Sequence, residues 1–288
     1  MPSAREINRR IKSVTNTQQI TKAMKMVSSV RLRRAQERAL ATAPYTEKIE
    51  GMLQRLAAAS TGEKVALFTP HDEVKRTCYI IVGADKGLAG AFNSNINKAM
   101  VAVLKDKPRS ASMLLVTGRK PAEYLKHLHI VPDQKWTGFS DKPQFTDAQQ
   151  IAHVATEQFL AGEVDEVYII YTKFKSALSQ EVQTVKMLPI SQHFDGSEKT
   201  GPKEEYLFAP DAHQVLESLL PQYLDMLVYN SLLQSAASEL GARMTAMTSA
   251  TDNAGELIDR LTVHYNKVRQ AGITNELTEI VSGANALQ

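Results

Sequence analysis

The chain has 288 residues, a 43% hydrophobic fraction and a formal net charge of +3. That length fits one large domain or two modest ones with a real core, and no run of about 18 uncharged apolar residues offers a membrane span. The start, Met1-Pro2-Ser3-Ala4-Arg5-Glu6, lacks the apolar core of a secretory signal, and the single cysteine, Cys78, excludes an internal disulfide or a cysteine-based zinc site and points to a reducing compartment.

The modest net charge conceals an asymmetry. Residues 1–40 hold ten Lys or Arg against Glu6 and Glu37, a balance of +8, which leaves −5 for the remainder. A basic segment on a mildly acidic body suits an acidic partner; the competing reading is a solvated helix face.

In chain order, the first predicted element is a long helix. Ser3 with Glu6 forms a capping box, and no Pro or Gly occurs from Ser3 to Ala43. As one helix that run is roughly 60 Å long. Apolar residues step by three and four through Ile7, Ile11 and Val14, then through Ile20, Met24, Val27 and Val30, with Thr17, Gln18 and Gln19 interrupting the stripe. Pro44 ends or kinks this helix, and a second segment reaches about Ala59.

The middle alternates strand and helix. Arg76–Val82 reads as a strand, Gly83–Gly90 as a Gly-rich turn and Asn93–Lys105 as a helix. Ser112–Val116 is a strand, Arg119–Lys126 a helix, Ile130–Trp136 a third strand, Thr146–Leu160 an amphipathic helix, and Glu166–Phe174 and Gln180–Leu188 two more strands. Strands separated by helices predict an α/β domain with a largely parallel sheet. Asp195–Lys203 reads as a loop.

From Asp211, an N-cap, to Leu287 a second long helical run, on the order of 110 Å, holds one Pro, Pro221. Gly241, Gly255 and Gly272 each cost about 1 kcal/mol relative to Ala, which is tolerable in so long a helix. Its first third is rich in Leu. Ser235–Gly255 changes to Ala, Ser, Thr and Met, which suits close helix packing. Ile273, Leu277, Ile280, Ala284 and Leu287 step as a heptad seam. Helices this long cannot bury their stripes within a small domain, so they pair with each other or enter a partner. The expected organisation is a shaft helix over 1–59, a central Rossmann-like α/β domain over 75–195, and a second shaft helix over 211–288 that pairs with 1–59 as an antiparallel coiled coil.

Chemistry has little support. The Gly-rich turn sits between strand and helix, where a phosphate binds well, but it lacks G-x-G-x-x-G order and Lys86 precedes Gly87 rather than Ser or Thr, so a tight structural turn is the better reading. His127 and His129 have no partner at metal spacing, and no G-x-S-x-G or H-E-x-x-H pattern occurs. Neither a catalytic nor a metal site is predicted. Two other readings stay open: a Rossmann-like nucleotide-binding enzyme with helical extensions, and a basic-helix nucleic-acid-binding protein, although the basic region is not followed by a zipper as such a protein requires.

The segment Ile273-Thr274-Asn275-Glu276-Leu277-Thr278-Glu279-Ile280-Val281-Ser282-Gly283-Ala284 closely resembles the C-terminal signature of the gamma subunits of F-type ATP synthases. Ile11–Met24, Asp85–Asn93 and Ala242–Asn253 resemble further segments of that family, in the same order. The turn departs at Ala89 and Ala91, where the family often has Cys and Gly, and a lone Cys78 cannot form the dithiol switch of chloroplast members. The resemblance implies a non-catalytic central rotor stalk with no cofactor. It couples proton flow through the membrane ring to ATP synthesis at sites on the beta subunits. The implied partners are three alpha and three beta subunits, the epsilon subunit and the c-ring, with membrane association through the complex only, on the cytoplasmic face of a bacterial membrane or as a processed organellar form. By the same analogy, Lys22, Lys25, Arg31, Arg33 and Arg34 meet acidic surfaces on beta. Arg269, Gln270, Thr274 and Glu276 match polar shaft positions. Ile280 and Leu287 turn in an apolar sleeve of alpha and beta, and Tyr206, Leu207 and Phe208 form a foot facing the c-ring.

Overall fold

The structure, a computed structural model, describes residues 3–59, 65–71, 73–105, 107–190 and 212–286. The chain divides into two compact units, Met1–Ser28 with Met244–Gln288, and Ser29–Arg243. Two helices run through both: α1, Ala4–Ala59, and α5, Ala212–Ala286.

α1 continues as a helix through Pro44 to Ala59. The sequence marks Pro44 as an end or kink, because its ring removes the amide that would bond the Leu40 carbonyl. Leu40 is 72% exposed, so that stretch of helix lies open to water. At the other end, Ser3 Oγ accepts from the Glu6 amide at 3.3 Å, as a capping residue should.

In the second unit the strands are β1 Thr77–Val82, β2 Ser112–Thr117, β3 Gln134–Trp136, β4 Glu166–Phe174 and β5 Gln180–Leu188. Their order is β3-β2-β1-β4-β5, with β5 alone antiparallel to its neighbour. The helices between them are α2 Phe92–Leu104, α3 Arg119–His127 and α4 Phe145–Leu160. The third strand is shorter than its apolar pattern predicts. Its first half is instead a loop tied by the Asp133 carboxylate, which accepts from the Leu114 amide at 2.7 Å and from Arg109 at 2.6 Å.

β1 and β2 are buried along their whole length, as expected of parallel strands covered on both faces. On one face, α4 (Ile151, Ala155, Phe159), α1 (Ile49, Leu53, Leu56) and α5 (Leu216, Leu220, Tyr223, Leu224) share one apolar core with Cys78 and Ile80. On the other, Ile96 and Met100 of α2 and Leu125 of α3 cover Tyr79, Ile81 and Leu114.

In the first unit, α1 and α5 pair antiparallel. Thr21 Oγ1 lies 2.8 Å from Thr251 Oγ1, and Gln18 Nε2 donates to the Thr251 carbonyl at 3.4 Å. A Cβ at Gly255 would meet that same Gln18 amide at 3.1 Å. The stripe therefore leaves the apolar residues that the sequence offers. The step that begins Ile7, Ile11, Val14 continues through Gln18 and Thr21, whereas Ile20, Val27 and Val30 are more than half exposed. A regular 3-4 spacing fixes which residues share the seam, whatever their polarity.

Candidate interaction surfaces and the closed crevice

In an open α/β sheet, ligands bind outside the carboxyl ends of the strands where the strand order reverses. Here that place lies between β1 and β4, and α5 fills it. β4 continues beyond its last pairing with β1, Ile170 opposite Ile81. The backbone groups left over are satisfied by α5. Ser235 Oγ accepts from the Thr172 amide at 3.0 Å, Ser238 Oγ donates to the Thr172 carbonyl at 3.0 Å, and Gln234 Oε1 accepts from the Phe174 amide at 3.1 Å. Close approach is possible because α5 is small there. Ala236 and Ala237 are buried, Ala242 packs on Ala84, Ala89 and Phe92, and a Cβ at Gly241 would meet Phe174 at 3.1 Å. What remains is a cavity of about 10 Å³ lined by Gly83, Thr117, Ser140, Ser235 and Glu239 among others, room for about one water.

The Gly-rich turn is consumed by the same packing. A Cβ at Gly83 would lie 2.6 Å from the Pro121 ring, and Gly118, at φ +89°, has no room for one beside the Gly83 carbonyl. Asp85 is buried and accepts from the amides of Gly138, Ser140 and Arg119. Arg243 of α5 donates to the Gly87 carbonyl at 3.0 Å and to Glu239 at 2.6 Å. Burial pushes the Glu239 carboxyl up, and Arg243 works against that rise. Leu88 sits at φ 60°, 65% exposed, at the tip. The turn is thus a structural clasp, as its glycine order suggests.

The predicted contact residues separate into two groups. Lys22, Lys25 and Arg34 are exposed on α1. Arg31 is not left for a partner alone: it pairs with Asp141 at 2.5 Å, and Lys86 shares that carboxylate at 3.0 Å. Burial opposes ionisation of Asp141, but Lys86 and Arg31 outweigh it and hold the carboxyl below the usual range. Arg33 pairs with Glu37 one turn along. On α5, Arg269, Gln270, Thr274, Glu276 and Ile280 are all exposed. The register of Thr21 on Thr251 brings the start of α1 opposite about residue 268, so the remaining run is a single helix roughly 27 Å long. Ile273, Leu277 and Ile280 are 50–68% exposed along it. Tyr206, Leu207, Phe208 and Leu287, and the loop at 195–203, lie outside the described residues. Asp141 and the polar side chains Gln234, Ser235 and Ser238 were not singled out by sequence, since each acts only through a distant strand or helix. Among the described residues there is no cluster of three or more His, Cys, Asp or Glu that could hold a metal, and no helix is long and apolar enough to cross a membrane.

The crevice where a doubly wound sheet takes its ligand is thus closed by the chain's own helix, and apolar and basic side chains stay uncovered on α1 and α5. A family profile described as ATP synthase matches residues 3–287. The ATP synthase gamma chain of Desulforamulus reducens is 44% identical over 288 residues, covering 100% of both chains. Among solved structures, a chain from the central stalk and c-ring of the Tetrahymena thermophila mitochondrial ATP synthase is 28% identical, covers 80% of this chain and 99% of its own, and superposes with a TM-score of 0.62. A chain of the Euglena gracilis mitochondrial ATP synthase is 20% identical, covers 99% and 94%, and shows the same fold at a TM-score of 0.72. The chain belongs to the ATP synthase gamma-chain family. The nucleotide-enzyme and nucleic-acid readings of the sequence have no support among these relatives.

Proposed function

We propose that the chain is the central rotor stalk of a proton-translocating ATP synthase, working with three alpha and three beta subunits, an epsilon subunit and a c-ring on the cytoplasmic face of a bacterial membrane. The observation that carries this reading is the similarity to gamma chains along the whole length. One asymmetric stalk touches three identical catalytic subunits differently, and a differential contact is what a shift among their conformations requires. The solitary end of α5, with Ile273, Leu277 and Ile280 uncovered, suits an apolar sleeve of alpha and beta, with Leu287 beyond it. Arg269, Gln270, Thr274 and Glu276 supply polar contacts to beta. Lys22, Lys25 and Arg34 meet acidic surfaces on beta, with Arg33 beside them, and Arg31 joins them only by sharing itself with Asp141. Tyr206, Leu207 and Phe208 face the c-ring. The shaft pairing of 1–59 with 211–288 around a central domain at 75–195 is the working frame of this mechanism.

Reconstitution with purified alpha and beta subunits tests the reading. One chain per alpha–beta hexamer, with ATP hydrolysis by that complex, is the expected result; no stable incorporation would sink it. Reversing the charges of Lys22, Lys25 and Arg34 together should lower proton pumping per ATP hydrolysed, and replacing Tyr206, Leu207 and Phe208 with Ser should weaken binding to the c-ring while leaving the soluble complex active.

A further inference from the structure

The apolar core and the polar contacts of α5 resist different motions. Leu216, Leu220, Tyr223 and Leu224 bury α5 against the sheet, but apolar burial is non-directional. It opposes separation and leaves a helix comparatively free to shear or to turn about its own axis. Hydrogen bonds fail once their angles are lost. α5 has four such side chains in succession, all fixed to backbone atoms of the α/β domain: Gln234 to the Phe174 amide, Ser235 to the Thr172 amide, Ser238 to the Thr172 carbonyl and Arg243 to the Gly87 carbonyl. Ser235 and Ser238 are buried, and Arg243 is the residue at which the second unit ends on α5. Their acceptors and donors belong to β4 and to the Gly-rich turn that follows β1, the strand paired with β4.

We propose that Gln234, Ser235, Ser238 and Arg243 form a polar spline, positioning residues that lock the axial rotation of α5 to the α/β domain and so carry torque between them. This rests on the rotor reading above. The spline takes the place of a ligand in the crevice at the sheet's switch point. That accounts for hydroxyls and an amide in a helix segment where apolar side chains would pack as well.

The test uses the chain assembled with alpha and beta subunits, with a rigid probe attached through Leu178→Cys. Leu178 is 85% exposed at the β4–β5 turn, and Cys78 is buried and does not compete for the label. A second preparation carries the probe on α5 through Gln222→Cys, and the excess angular variance of the first over the second during a catalytic pause reads the domain-on-helix stiffness. Ser235→Ala with Ser238→Ala removes two of the four links to backbone, so that excess should rise, by up to about twofold if the links act in parallel beside the exposed Gln149–Asp225 contact. Leu220→Ala, a core cavity, should lower the melting temperature at least as far yet leave the excess near wild type. Gln234→Met gives the same readout, with a smaller rise, if the double variant does not assemble. An unchanged excess in the serine variant, or one that merely follows melting temperature across all variants, overturns the spline. Failure of the wild-type chain to enter the hexamer overturns the rotor reading instead.

Discussion

Replacing Arg243 with Met removes the guanidinium that serves Glu239 and Gly87 while keeping much of the apolar stem. The pair is deeply placed, with side chains 8% and 1% exposed and a 2.6 Å contact. Breaking a buried ion pair from one side costs about 3–5 kcal/mol, because the remaining charge is uncompensated. Proton uptake limits that cost. Burial already pushes the Glu239 carboxyl above its ordinary range against the pull of Arg243. Without Arg243 it rises further, and a neutral Glu239 escapes the charge penalty. A carboxyl whose pKa is higher folded than unfolded binds more protons when folded, so stability falls as pH rises from the ordinary carboxylate value through the raised one. Arg243→Met is therefore expected to lose about 3–5 kcal/mol at about pH 8 and distinctly less at about pH 5. Adding Glu239→Gln should recover most of the loss at the higher pH. Urea unfolding of the purified variants at both pH values measures this. A loss that is equal at the two, or smaller than about 1 kcal/mol throughout, would refute the description of a buried, mutually dependent pair.

Three further outcomes are expected. Burial works against ionisation of Asp165, but the Arg76 amide, His71 and the Lys75 amide outweigh it and hold the carboxyl below its usual range. Its contribution is present above the ordinary carboxylate value and is lost as pH falls through the depressed one. Asp165→Asn should thus cost about 1.5–3 kcal/mol near neutrality, with the gap to wild type closing in acid melts. Burial, with the Asp133 charge adding, pushes the Cys78 thiol up to about 12, so a thiol reagent should label the native chain only as fast as it unfolds, and rapid labelling would contradict the placement. Gly118→Ala should lower the melting temperature well beyond Gly138→Ala. Both have positive φ, worth about 1–3 kcal/mol of strain, but only at Gly118 would the new Cβ strike backbone, 2.6 Å from the Gly83 carbonyl.

Local pattern carried much of the fold. The alternation along Glu166–Phe174 and Gln180–Leu188 sets both strands at their observed bounds, since side-chain period is a property of a few consecutive residues. The two long helices are likewise legible, the first from the absence of Pro and Gly between Ser3 and Ala43 and the second from a single Pro after Asp211. The seam of α1 was half legible. Ile7 to Val14 announced it, but the apolar run through Ile20, Val27 and Val30 pointed to the wrong face, because which face is covered depends on Thr251 and Gly255, more than two hundred residues away.

The sequence by itself determined that this chain has two helices too long for their own domain, a sheet between them, and the marks of its family. Only the tertiary structure decided what those helices do to the sheet. The hydroxyls of Ser235 and Ser238 read as mere small residues until Thr172 lies beside them, and Arg31 reads as a free cation until Asp141 takes it. Periodicity records the face a residue shares with its neighbours along the chain. The partner that meets that face is fixed by long-range packing, which no local window contains.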